Sequence, residues 1–157
     1  MTTVLAVDLG SASGRVLAGT LRDGRLDVTD IHRFKHEARR REDGTLTWDV
    51  ATMEAETITG LKKALERFPD ARAVSIDTWG VDWAPLDENG ELVGDVVAYR
   101  DERTARTLDA FRERIGDREF FDLTGNQPAT INTANQLFAY LQENPADARR
   151  VAAALFL

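Results

Sequence analysis

Three extended segments joined by tight turns open the chain, and they restrict its fold more than any other feature. Residues 4–9 are typical of a buried strand that ends at a glycine, and residues 15–22 predict its antiparallel partner. Asp23-Gly24 is a strong hairpin signal, and a third strand follows over 26–34. Strands linked by hairpins pair antiparallel, so a purely parallel, doubly wound sheet is excluded.

The rest of the chain alternates between helical and extended patterns. Asp49 is a good helix N-cap, and the apolar positions from there to Phe68 fall mostly on one helical face. Residues 73–78 predict another buried strand, and 81–86 and 92–98 flank a turn. Helical patterns then cover 103–115, 117–123 and 132–143. This order predicts an α/β fold with a mixed sheet and flanking helices.

Charge and hydropathy limit the partners that this chain can have. A net charge of -7 argues against a broad nucleic-acid-binding surface, which needs a basic face. No apolar run approaches the roughly 20 residues that cross a bilayer, so we expect no membrane partner. The chain has no cysteine, which excludes thiolate metal sites and fits a reducing cytoplasm. Residues 151–157 are apolar and stop abruptly, so we expect a longer protein.

The connection between the first two strands has the composition of an anion-binding loop. It reads Asp8-Leu9-Gly10-Ser11-Ala12-Ser13-Gly14-Arg15. Small residues let backbone N–H groups converge on an anion, and the Ser11, Ser13 and Arg15 side chains add donors. Asp8, at the strand end, is suited to hold a hydrated Mg²⁺ that bridges phosphate oxygens. The loop matches neither a P-loop nor a dinucleotide fingerprint, and by itself a plain hairpin turn stays open.

Three further segments give this loop a context. They are Ser-Ile-Asp-Thr-Trp-Gly-Val-Asp-Trp at 75–83, Val-Ala-Tyr-Arg-Asp-Glu-Arg at 97–103 and Ile-His-Arg-Phe at 31–34. With the loop, they resemble the FGGY carbohydrate kinases in the same order over nearly the whole chain. Within that family, Asp-Thr-Trp-Gly-Val-Asp at 77–82 is most similar to the members that phosphorylate the 1-hydroxyl of L-rhamnulose.

The resemblance implies an actin/ribonuclease-H-like fold with two such domains. Residues 1–157 are then an incomplete amino-terminal domain without its second domain. The resemblance also implies ATP as a substrate and Mg²⁺ as its metal, with Asp8 near the metal through water. The residues that it assigns to the ATP phosphates are Ser11, Ala12, Ser13, Gly14 and Arg15.

The resemblance also implies a sugar site. Gly80 matches the sugar-contacting position of the family, with Thr78, Trp79 and Asp82 around it. Tyr99 and Arg100 fall where related kinases place an aromatic residue and polar groups against the sugar. An aromatic platform beside hydrogen-bonding groups suits a polyol. For Trp79 core packing stays equally open, and for Trp83 core packing is the favoured interpretation.

No catalytic residue is assigned within 1–157. In the family the general base is an aspartate in a downstream His-Asp motif, and this chain has no such pair. Its two histidines, His32 and His36, lack motif partners, and we expect both at the surface or in a hairpin. The isolated chain should therefore show negligible kinase activity. Two alternatives stay open: a kinase for another ketose (xylulose, fuculose or ribulose), and a non-catalytic actin-like nucleotide-binding module.

Overall fold

Two units make up the chain in a computed structural model that describes residues 2–157. The first unit comprises the residues up to Glu37 together with Asp49–Trp79, and the second comprises Ala38–Trp48 together with Gly80–Leu157. None of the helices within 2–157 has the length and apolar character needed to cross a membrane.

Within residues 2–157, eight strands and five helices follow one another. The strands are β1 (Thr2–Leu9), β2 (Ser13–Arg22), β3 (Arg25–Lys35), β4 (Arg39–Arg40), β5 (Leu46–Thr47), β6 (Val74–Asp77), β7 (Trp83–Leu86) and β8 (Ala153–Phe156). The helices are α1 (Val50–Arg67), α2 (Arg103–Arg114), α3 (Asp117–Thr124), α4 (Thr133–Glu143) and α5 (Pro145–Ala148).

The first unit is built on a four-stranded sheet in the order β3-β2-β1-β6. Strands β1 and β2 pair antiparallel up to Leu9 and Gly14, and β2 pairs antiparallel with β3. Strand β6 joins the other edge of β1 in parallel, which places Asp77 beside Asp8. The predicted mixed sheet is thereby confirmed.

Helix α1 covers one face of this sheet. Leu5, Val7, Val16 and Ala18 of the sheet form a buried cluster with Ala64 of the helix. Successive side chains of a strand point to opposite faces of the sheet, so every second residue of β1 and β2 is buried under the helix. The helix begins as predicted, because the Asp49 side chain accepts a hydrogen bond from the Thr52 N–H at 3.0 Å.

The second unit contains two small sheets, β4-β5 and β7-β8, and the helices α2 to α5. Trp83 packs edge-on against Tyr140 with ring centroids 5.2 Å apart, which confirms the core interpretation of this tryptophan. The extended pattern over 92–98 forms isolated bridges in place of a strand. Gly94, with φ of +80°, interrupts that run.

Candidate phosphate and sugar sites

The predicted phosphate loop is a tight turn between β1 and β2. The Gly10 N–H donates a hydrogen bond to the Ser13 carbonyl at 2.9 Å, which closes the turn. Ser11 is half-buried, whereas Ala12 and Ser13 are exposed. The tip of the turn therefore carries only small side chains, and an anion can approach its backbone closely.

Gly14 has a packing reason to be glycine. A Cβ built there would lie 2.3 Å from Cζ of Phe34, the residue opposite on β3. Such a distance is incompatible with any side chain unless the ring moves. The packing of β2 against Phe34 thus accounts for this glycine, whatever its role toward a phosphate.

Asp8 and Arg15, both predicted for the phosphate site, contact each other. They are cross-strand partners on β1 and β2, and the Arg15 Nε donates to Asp8 Oδ2 at 2.7 Å. Both side chains remain partly exposed to solvent. Exposed ion pairs contribute little to stability, so a phosphate can replace the carboxylate at Arg15 at small cost.

The ends of β1 and β6 place two carboxylates side by side. Asp8 and Asp77 are register partners in the parallel pair, so their side chains project from the same face. Within residues 2–157 no group of three or more Asp, Glu, His or Cys side chains is arranged to hold a metal. Mg²⁺ usually binds one or two carboxylates together with water and substrate phosphates, and this pair fits that mode.

His36 directly follows β3 of the β2–β3 hairpin and is buried, so of the two places expected for it, the surface or a hairpin, only the surface is wrong. Its side chain is 8% exposed, and its main-chain N–H donates to the Ala12 carbonyl at 3.3 Å. The imidazole stacks on the indole of Trp79, with centroids 5.6 Å apart. Burial lowers the pKa of His36, and the Gly10 backbone opposes part of that shift. No neighbouring motif in the sequence signals this role.

His32 lies in the β2–β3 hairpin, one of the two places expected for it. It is half-buried on β3, and its Nε2 lies 2.6 Å from a carboxylate oxygen of Glu56 on α1. Strand β3 thus contacts the helix through this polar pair as well as through apolar side chains.

The boundary between the two units falls inside the 75–83 segment. Thr78 and Trp79 end the first unit and are half-buried, and the Thr78 hydroxyl donates to the Trp79 carbonyl at 3.1 Å. Gly80 begins the second unit and is exposed. A Cβ built on Gly80 meets no atom within 4 Å, so protein packing does not require a glycine here.

Asp82, predicted to lie around the sugar, is fully buried in the second unit. Its Oδ2 accepts a hydrogen bond from the Trp48 indole at 2.6 Å. The sequence gives no indication of the conformation of Val81, which has φ of 75°. For a β-branched residue this conformation is a rare one that costs about 1–3 kcal/mol. A direct contact between Asp82 and a sugar stays a prediction.

Tyr99 and Arg100 form a contact of their own in the second unit. The Arg100 guanidinium lies 5.1 Å from the centroid of the Tyr99 ring, in a cation–π arrangement. Arg100 is exposed and Tyr99 half-buried. The next residue, Asp101, is buried and accepts hydrogen bonds from the N–H groups of Leu46 and Arg103 at 2.8 and 2.9 Å. Asp101 therefore anchors this segment.

Curated relatives match most of the chain. It is 39% identical over 145 residues to rhamnulokinase of Mannheimia succiniciproducens, covering 91% of this chain and 30% of that protein. It is 37% identical over 133 residues to rhamnulokinase of Bacillus subtilis, covering 85% of this chain and 27% of that protein. The chain thus spans less than a third of the length of these two relatives.

Solved structures of sugar kinases share the fold. Xylulose kinase from Rhodospirillum rubrum superposes with a TM-score of 0.82 at 17% identity, over 98% of this chain and 32% of that one. Gluconate kinase from Lactobacillus acidophilus gives a TM-score of 0.83 at 10% identity, over 98% and 31%. At these identities the similarity shows the fold alone, the actin/ribonuclease-H-like mixed α/β fold that the family resemblance implies.

A family model describes nearly the whole chain. The amino-terminal domain of the FGGY family of carbohydrate kinases matches residues 3–157, a range that includes the loop at 8–15 and the segment at 75–83. The chain therefore belongs to the FGGY family of carbohydrate kinases.

Proposed function

We propose that the full-length protein is an L-rhamnulose kinase of L-rhamnose catabolism. It transfers the γ-phosphoryl group of ATP to O1 of L-rhamnulose, giving ADP and L-rhamnulose 1-phosphate. The observation that carries this proposal is the identity of 37–39% to two relatives named rhamnulokinase, which covers at least 85% of the chain. Residues 1–157 are then part of the amino-terminal domain of that kinase.

The turn between β1 and β2 binds the ATP phosphates in this proposal. Its small side chains let a phosphate approach the backbone at the tip of the turn, and the hydroxyls of Ser11 and Ser13 add donors. Arg15 exchanges the carboxylate of Asp8 for a phosphate oxygen. Asp8, with Asp77 beside it, would hold Mg²⁺ through water, and the metal would supply positive charge next to the transferred phosphate.

The proposed sugar-binding residues supply different kinds of contact. Trp79 offers an aromatic face, and Gly80 leaves open space through which a hydroxyl can approach the backbone. Thr78, Asp82, Tyr99 and Arg100 complete the proposed set. Of these, Asp82 acts through the backbone that it anchors, because its carboxylate is buried against Trp48.

The rest of the longer protein supplies the general base. As the O1 hydroxyl attacks the γ-phosphorus, the bond to the ADP oxygen breaks and the hydroxyl proton passes to a carboxylate. No residue of 1–157 is assigned this role. We therefore expect residues 1–157 alone to give negligible turnover, and we place the reaction of the whole protein in the cytoplasm.

A ketose panel on the full-length protein with ATP and Mg²⁺ tests the proposal. Release of ADP is measured with L-rhamnulose, xylulose, fuculose and ribulose, and L-rhamnulose should give the highest kcat/KM. A higher value with another ketose would instead identify a kinase for that sugar. Binding of ATP without phosphorylation of any ketose would favour a non-catalytic module.

A further inference from the structure

The backbone that follows Gly80 has an uncommon conformation. Val81 has a positive φ, although its branched side chain disfavours the left-handed region. Among residues 2–157, the other non-glycine residue with positive φ is Asp23, which occupies a hairpin turn. Val81 lies in the connection from β6 to β7, so hairpin geometry does not explain its conformation.

Two side chains at the start of α4 hold this backbone in place. The Val81 carbonyl accepts a hydrogen bond from the Thr133 hydroxyl at 2.9 Å and another from Nε2 of Gln136 at 3.0 Å. A carbonyl oxygen has two lone pairs, and these two donors use both. The carbonyl therefore has a fixed direction.

The amide of Gln136 is itself oriented at both of its ends. The side chain is 0% exposed, and Nε2 also donates to the Ile131 carbonyl at 3.1 Å. Nη2 of Arg103 lies 3.3 Å from Oε1 of Gln136 and donates to it. One residue beyond Val81, the Trp48 indole fixes the Asp82 carboxylate. The chain is thus anchored immediately after Gly80.

We propose that Thr133 and Gln136 are positioning residues for the ketose, acting through Val81 on Gly80. Because the Val81 carbonyl and Asp82 are anchored, a return of Val81 to negative φ would rotate the peptide that joins it to Gly80. The hydrogen-bonding groups of Gly80 would then point in another direction. This inference rests on the proposed function, in which Gly80 contacts the sugar.

Replacing Thr133 in the full-length protein tests this role. Thr133→Val removes the donor and keeps the shape, whereas Thr133→Ser keeps the donor and serves as the matched control. Thr133→Val should raise KM for L-rhamnulose about tenfold, the effect of losing one hydrogen bond, with KM for ATP unchanged. Thr133→Ser should remain near the wild type. Equal rises in both KM values, or none, would overturn the proposal.

A second substitution separates positioning from a general loss of stability. Glycine adopts positive φ readily, so Val81→Gly in the Thr133→Val background should return KM for L-rhamnulose towards the wild-type value. A purely structural defect would not recover when a further side chain is removed. A KM that stays high or rises further in the double variant would contradict the role of Val81.

Hydrogen exchange gives a readout that does not depend on catalysis. The amides of Val81 and Asp82 should exchange faster in Thr133→Val than in Thr133→Ser. Equal exchange in the two variants would overturn the anchoring itself. If the wild-type protein phosphorylates no ketose, the proposed function fails, and the role of Thr133 toward a sugar fails with it. The exchange rates still decide whether Thr133 holds the Val81 backbone.

Discussion

The imidazole of His36 stacks on the indole of Trp79, with ring planes inclined by 26°. The same histidine contacts the phosphate loop, because its main-chain N–H donates to the Ala12 carbonyl. In the first unit, the buried His36 therefore contacts both the proposed phosphate loop and Trp79, one of the proposed sugar-binding residues.

Replacing His36 with phenylalanine should flatten the pH dependence of stability in mildly acidic solution. Burial lowers the pKa of His36 below its ordinary value near 6.5, so the unfolded chain takes up this proton at a higher pH than the folded one. Stability therefore falls as pH drops from about 6.5 toward the folded-state pKa. His36→Phe keeps an aromatic ring against Trp79 and removes the titrating group.

Urea denaturation at several pH values between about 5 and 7 measures this effect. Lys35→Gln, a change at the exposed neighbour on β3, is the control and should keep the wild-type slope. If His36→Phe loses stability as steeply as the wild type on acidification, the histidine does not carry the dependence.

Replacing Asp8 with asparagine should affect nucleotide use far more than folding. Its ion pair with Arg15 is partly exposed, so its loss should cost about 1 kcal/mol or less. In the full-length protein, Asp8→Asn should lower kcat by roughly a hundredfold or more and raise the Mg²⁺ concentration required, because the carboxylate proposed to hold the metal is lost.

Asp30→Asn is the matched control for Asp8→Asn. It breaks another exposed ion pair, in which Arg33 Nη2 lies 2.6 Å from Asp30 Oδ2, on the edge strand β3 of the same sheet. Steady-state kinetics at varied Mg²⁺ should leave Asp30→Asn at the wild-type rate. Equal kinetic losses in both variants would argue against a metal at Asp8.

Replacing Gly14 with alanine should destabilise the fold through Phe34. The new Cβ would lie 2.3 Å from Cζ and 2.7 Å from Cε1 of that ring, and such overpacking costs about 1–3 kcal/mol. Phe34→Leu should relieve the clash, so the free energies of unfolding of the two single variants and the double variant should not add. Additive values would remove the packing explanation of this glycine.

The turns and the start of the first helix could be predicted from the sequence. Turn residues such as Asp23-Gly24 fix hairpin connections within a few positions, and the Asp49 N-cap marks the start of α1, which it caps in the structure. These features depend on neighbouring residues alone. The strand order required more, because β6 pairs with β1 across some seventy residues of chain.

The features that the sequence did not reveal depend on distant contacts. His36 is buried because Trp79, far along the chain, covers its ring. Val81 holds its positive φ because Thr133 and Gln136 reach its carbonyl from α4. Neither residue belongs to a type that predicts such a place, since histidine is common on surfaces and valine avoids positive φ.

Replacing Trp48 with phenylalanine should destabilise the second unit, because the buried Asp82 carboxylate loses one hydrogen-bond donor. The indole Nε1 donates to Asp82 Oδ2 at 2.6 Å, and a buried acceptor that loses its partner costs about 1–3 kcal/mol, with more for a charged group. Trp83→Phe is the control, because within residues 2–157 the buried Trp83 Nε1 has no hydrogen-bond partner. Thermal unfolding should show the larger loss for Trp48→Phe, and a larger loss for Trp83→Phe would contradict this account.

Replacing Gly80 with alanine should separate sugar binding from folding. Because a Cβ at this position meets no atom within 4 Å, the free energy of unfolding should change by no more than about 0.5 kcal/mol. In the full-length protein the same methyl group would occupy the space proposed for the ketose, so KM for L-rhamnulose should rise about tenfold or more at an unchanged KM for ATP. Gly116→Ala adds a methyl group in open space at the start of α3 and should leave both KM values unchanged. If Gly80→Ala binds L-rhamnulose as tightly as the wild type, the sugar does not approach this part of the backbone.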